Sequence, residues 1–195
     1  MNKVDVSQAM KMGMSYDDYL EVMRKQAAQA DDNPDDSRLQ ATPLNLHRSQ
    51  RISRTYQVPD EICRLINKIA DKQFWLVLTE PWCGDSSQTL PCIVHYAGCN
   101  PNIELKILLR DDHLDIMDVY LTDGNRGIPK LVVFDEKGNE LFNWGPRPLA
   151  ARNLFKANKD AGMEKSENIA QVMLWYGRDR GKTLEAEFTE ILGDL

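Results

Sequence analysis

The stretch from Phe74 to Cys92 constrains the fold of this chain more than any other. Phe74, Trp75, Leu76, Val77 and Leu78 form a short unbroken apolar run, the pattern of a strand covered on both faces. Pro81 interrupts the run, and Trp82-Cys83-Gly84-Asp85 follows where a helix is expected to open. A cysteine placed there meets unpaired backbone N–H groups and the positive end of the helix dipole. Both favour the thiolate, which is the reactive form of the side chain. Opposing them are the negative charges of Asp85 and Glu80, which disfavour a second one beside them.

Around this centre the residues predict alternating elements. Ser15-Tyr16-Asp17-Asp18 is a capping-box-like start, followed at helical spacing by Tyr16, Tyr19, Leu20, Met23 and Ala27. Asp31 to Ser37 is a polar breaker segment and reads as an exposed loop. Arg48, Arg51 and Arg54 recur every third residue and share a helix face, either solvated and salt-bridged or an anion or partner site. Pro59 opens another helix, with Ile62, Leu65, Ile66 and Ile69 as its buried stripe. Ile103 to Leu109 reads as a second strand. Asp111-Asp112 is expected to cap a helix with inner face Leu114, Met117 and Leu121, closed by Gly124.

Leu131 to Phe134 and Glu140 to Trp144 flank a hairpin signal. From Pro148 to Leu195 the pattern is helical, with Gly162, Gly177 and Gly181 as expected breaks and Phe155, Ile169, Met173, Leu174, Trp175, Phe188 and Ile191 on apolar faces. This order predicts an α/β architecture: a four-stranded mixed sheet flanked by helices, its first two strands parallel through a right-handed crossover. Residues 1–57 read as an N-terminal helical extension, and 58–195 as the main domain with a long helical C-terminal tail.

Composition narrows the function classes. A net charge of −6 argues against a general nucleic-acid binder, which needs a basic face. No window holds the apolar run of a membrane span, and the segment starting at Met1 lacks a hydrophobic leader region. Four scattered cysteines in 195 residues do not make a disulfide framework, so free thiols in a reducing, cytoplasmic setting are expected. Cys92, His95 and Cys99 share a helical face, but no fourth ligand is evident and the spacing matches no common zinc pattern, so no metal is expected.

The chain resembles the thioredoxin family over roughly residues 58 to 160. Trp82-Cys83-Gly84-Asp85-Ser86 stands where that family has Trp-Cys-Gly-Pro-Cys, and Pro91 where its active-site helix is kinked. Arg126-Gly127-Ile128-Pro129 looks like the segment holding its cis-proline, and Gly145 falls at its glycine beside the active site. Two positions depart from the pattern. Ser86 replaces the second cysteine, and Val77 stands in place of a buried aspartate.

The resemblance implies an exposed, nucleophilic Cys83 with Ser86 beside it, in a substrate groove built from Trp82, Ile128, Pro129 and Gly145. Serine hydrogen-bonds a thiolate but cannot displace a bound sulfur. Cys92 lies a rise of about 13 Å along the same helix, beyond the roughly 7 Å that a disulfide spans. Cys63 and Cys99 read as small buried core residues. A mixed disulfide on Cys83 therefore waits for an external thiol such as glutathione. Arg147 is expected either to support the thiolate or bind a carboxylate, or to form a surface pair in a rigid connection. Arg110 carries a weaker suggestion of the first kind.

The expected function is monothiol thiol–disulfide exchange on a protein or small-molecule disulfide, without a bound cofactor. The alternative is a redox-inactive module of the same fold that binds a partner protein. The oligomeric state stays open.

Overall fold

The computed structural model describes residues 4–194, so the first three residues of the segment read for a leader, and Leu195, lie outside it. Four strands, β1 (Gln73–Thr79), β2 (Ile103–Leu109), β3 (Lys130–Asp135) and β4 (Glu140–Trp144), form one sheet in the order β2-β1-β3-β4. β1 pairs parallel with β2 and antiparallel with β3, and β3 antiparallel with β4. The mixed sheet and its parallel first pair are as the sequence pattern predicts.

Nine helices flank the sheet among the described residues: α1 (Val6–Met12), α2 (Tyr16–Ala27), α3 (Ser37–Thr55), α4 (Asp60–Ile66), α5 (Gly84–Ala97), α6 (Leu114–Met117), α7 (Leu149–Asp160), α8 (Lys165–Asp179) and α9 (Lys182–Gly193). Side chains alternate across a strand, so β1 feeds two cores. Trp75 and Val77 pack with Ile93 and Tyr96 of α5, Tyr19 and Met23 of α2, and Phe188 of α9. Leu76 and Leu78 pack on the other face with Met10 of α1, Met117 of α6 and, at its rim, Cys83.

The Ser15 side chain accepts from the Asp18 N–H at 3.1 Å, which caps α2 as the sequence predicts. Just before that cap, Met14 exchanges two backbone hydrogen bonds with Ile107, laying the N-terminal segment along the outer edge of β2. That edge would otherwise present open N–H and C=O groups.

Four expectations are corrected. The helix after β2 is one short turn, preceded by a 3-10 turn at Arg110–Asp112, and Leu121 is exposed rather than inward. Asp111 does not cap it: its N–H bonds Glu80 Oε1 at 2.8 Å and its carboxylate pairs with arginines. Gly124 has the left-handed φ of +73°, but in a turn beside the Thr122–Asn125 bridge rather than at a helix end. In the tail, Gly162 and Gly181 break the helices, whereas Gly177 lies inside α8 and Leu174 faces out at 55% exposure.

The fourth correction concerns the thiols. Cys63 and Cys99 are joined in a disulfide, their Cα atoms 5.6 Å apart, which ties the middle of α4 to the turn after α5. No local pattern marks two residues 36 positions apart as neighbours. Only Cys83 and Cys92 are free, both buried.

Candidate functional site

Cys83 is the N-cap residue of α5, delivered by β1 through the Glu80-Pro81-Trp82 turn. Its Sγ accepts the Ser86 N–H at 3.5 Å and donates to the Ile128 carbonyl at 3.3 Å. The Ile128–Pro129 peptide is cis, as is Gly145–Pro146. Gly145 closes the back of the site. Its φ is +115°, and a Cβ there would lie 2.1 Å from the Pro129 carbonyl oxygen, so no other residue fits. Gly127 has a related reason, since its Cβ would meet Pro146 Cγ at 2.9 Å.

The sulfur is not exposed, which corrects the expectation from its position at a helix start. Cys83 is 6% accessible, and burial, with the charge of Asp85 second, pushes its thiol up to about 11. The Ser86 and Asp85 hydrogen bonds act in the opposite direction and are outweighed. Two helices outside the βα unit account for the cover. α3 lies on one side, with Asn45 Nδ2 donating to the Pro81 carbonyl at 3.2 Å. α8 lies on the other, where the Met173 sulfur sits against Gly84 and would stand 3.3 Å from a Cβ there.

Ser86 is buried behind Cys83, and its Oγ accepts from the Thr79 hydroxyl at 2.5 Å. Val77, at the position of the family's aspartate, is fully buried among apolar side chains, so no carboxylate lies beneath the sulfur from that strand.

Arg147 is placed by neither of the two sequence expectations. It is not a surface pair, and its guanidinium grips Asp85 in two bonds, Nε to Oδ1 at 2.8 Å and Nη2 to Oδ2 at 2.7 Å, while its face stacks on Phe155 at 4.3 Å. The Tyr176 hydroxyl donates to the same Asp85 Oδ1 at 3.0 Å. Asp85, in the position where a proline was the family expectation, is thus an anchor for the tail helices. The carboxylate that Arg147 binds is the protein's own.

Two guanidinium groups stand over the Trp82 ring, Arg38 at 4.9 Å and Arg110 at 5.0 Å from its centroid. Arg38 and Arg110 both bond Asp111, and Arg110 Nη1 also reaches the Arg126 carbonyl at 3.1 Å. Trp82, Cys83, Ile128 and Arg147 all line one groove of about 640 Å³; Pro129, Gly145 and Ser86 support it from behind. Arg38 and Arg48, which sequence reading left unconnected to the cysteine, line it too, brought in by α3. Spacing gave a signal for the face of Arg48 but none for its neighbour across the fold. Arg51 lines a different cavity, and Arg54 is exposed.

No cluster of three or more candidate metal-ligating side chains occurs among the described residues, and His95 Nε2 is engaged at 2.9 Å with the Ser53 carbonyl. No helix among them is long and apolar enough to cross a membrane.

Comparison with known proteins places this geometry. A search of curated proteins gives no match. Among solved structures, the chain is similar to a protein of unknown function from Pseudomonas aeruginosa, at 17% identity, TM-score 0.64, and coverage of 100% of this chain and 99% of that one. It is also similar to an HIV epitope-scaffold, at 17% identity, TM-score 0.56, and coverage of 96% and 93%. At that identity the likeness is one of fold. A family model described as Thioredoxin matches residues 32–161, more than half of the chain and including the Trp82–Ser86 segment, both cis-prolines and Gly145. By that match and the sheet order that carries it, the chain belongs to the thioredoxin family.

Proposed function

We propose that this protein carries out monothiol thiol–disulfide exchange through Cys83. The observation that carries the reading is the placement of the Cys83 sulfur at the start of α5, 3.3 Å from the carbonyl that precedes the cis-proline and in the lining of a groove. Trp82 and Ile128 are the substrate-side residues, Pro129 and Gly145 hold that wall from behind, Arg147 lines the groove while bound to Asp85, and Ser86 is the neighbour that steadies the sulfur.

In the exchange, Cys83 loses its proton to solvent and its sulfur attacks one sulfur of a disulfide. A Cys83–substrate disulfide forms, and the second substrate sulfur leaves as a thiolate that takes up a proton. With serine at position 86, a thiolate from outside, glutathione or a similar small thiol, attacks the substrate sulfur and releases Cys83. Net, one disulfide and one thiol become a different disulfide and thiol, with no net change of oxidation state in the protein.

Glutathione-dependent reduction of a small disulfide by the intact protein is expected, and is lost in Cys83→Ser. Equal rates for the two proteins would sink the reading. With a thiol pushed up to about 11, only about one sulfur in ten thousand is ionised at pH 7, so the rate is slow and rises about tenfold per pH unit.

A second reading is a binding module in which the same groove holds a partner without turnover. The burial of Cys83 and its weak acidity favour it. Iodoacetamide labelling of Cys83 against pH separates the two. Labelling that rises log-linearly toward about pH 11 supports exchange through the ionised fraction. A sulfur that stays unlabelled at every pH where the protein is folded supports the module.

A further inference from the structure

The groove over Cys83 runs against the charge of the molecule around it. The chain carries −6, yet six cationic side chains line this groove: Arg38, Arg48, Arg110, Arg126, Arg147 and Lys165. Asp85 is the one acidic residue in the lining, and it is spent on Arg147. Arg126 is held by Asp118 outside the groove, while Arg38 and Arg110 share the single carboxylate of Asp111, beside which Glu80 accepts the Asp111 N–H.

Two cations remain without a carboxylate among the described residues. Arg48, on α3, reaches only the amide oxygen of Asn45 at 3.2 Å. Lys165, at the first turn of α8, forms no ion pair. Arg48 is half-buried, and burial, followed by the charge of Arg51, lowers its pKa below the ordinary arginine value. A positive charge in that setting gains from an anion that replaces lost water. The two stand on the two walls that cover the sulfur, α3 and α8.

We infer that the groove takes a low-molecular-weight thiol or disulfide bearing at least two anionic groups, received by Arg48 and Lys165 on either side of Cys83. Size decides for a small molecule over a protein segment. The groove volume falls within the range of small-ligand sites, and Cys83 as a residue is buried between walls that a disulfide still embedded in a folded partner would have to enter. Carboxylates and phosphates both suit a guanidinium and an ammonium, so the shared chemistry is the anionic charge.

The inference rests on the reading of Cys83 as the reacting sulfur, and its test is built to fail separately. In Cys83→Ser protein, which cannot exchange, calorimetric titration is run with the small disulfides oxidised glutathione, coenzyme A disulfide, the neutral hydroxyethyl disulfide and the cationic cystamine, and separately with an acidic peptide. Binding of either anionic probe at least tenfold tighter than both others, weakening with added salt, is the expected result. Arg48→Gln and Lys165→Gln are each expected to weaken it about tenfold, with unchanged melting temperature showing that the fold is intact. The better of the two anionic probes tells carboxylate from phosphate. Equal binding of neutral and anionic probes, indifference to both substitutions, or tighter binding of an acidic peptide than of either small disulfide would overturn the inference. Failure of the exchange reading would instead appear as absent turnover in the unmutated protein with this binding preserved.

Discussion

Two residues decide whether the site exists in this form, and for different reasons. Gly145 is required by its backbone: a methyl group would have to occupy space 2.1 Å from a carbonyl oxygen at a φ of +115°. Gly145→Ala is therefore expected to cost more than about 3 kcal/mol, read from the urea midpoint, or to prevent folding. Asp85 is required by its charge. Asp85→Asn leaves the Arg147 guanidinium partly buried without its bidentate partner, at a cost of about 3 kcal/mol. The same change removes the second cause holding the Cys83 thiol up, so labelling of Cys83 at a fixed pH is expected to become faster in the folded variant. An unchanged labelling rate would mean that burial alone sets the acidity.

At the scale of elements, β1 and α5 were legible in the sequence because their signals are local: an apolar run, a proline and a cysteine at a helix start. The hairpin and the capped start of α2 were legible for the same reason. What surrounds the sulfur was not. The cover by α3 and α8 depends on helices that lie far from Cys83 along the chain, and periodicity shows which face of a helix is apolar but not what it packs against. Arg147 illustrates the limit: the residue was singled out, but its partner Asp85 lies 62 positions away, where the family pattern directs attention to the neighbouring cysteine. The Cys63–Cys99 link between α4 and the end of α5 is of the same kind. Closing 36 residues by a covalent bond restricts the unfolded chain by about 4 kcal/mol. Cys63→Ser is accordingly expected to lower the melting temperature of the oxidised protein, and the difference from the parent is expected to vanish when both are melted in excess reductant.

For the whole molecule, the buried acids of the core act together. Cys83 is pushed up to about 11, Cys92 to about 12, and Tyr16 to about 12, in each case first by burial. As pH rises above 9, the unfolded chain gives up these protons before the folded one does. The folded state then binds more protons, and stability falls with pH through the window from about 9 to about 12. Below 9 these groups are protonated in both states and contribute no slope. A urea midpoint that drops steadily from pH 9 to pH 11, and drops less in Cys92→Ala, is the expected outcome.

The wall that Lys165–Asp179 builds over the sulfur is also the last of the site's parts to be translated. A ribosome delivers the chain N-terminus first, so the strand–helix unit bearing Cys83 emerges while its final shield is still unsynthesised. Stalled or C-terminally clipped molecules then leave this cysteine open on the side that α8 covers in the complete fold, so bulky adducts that the groove excludes would mark chains whose tail never arrived.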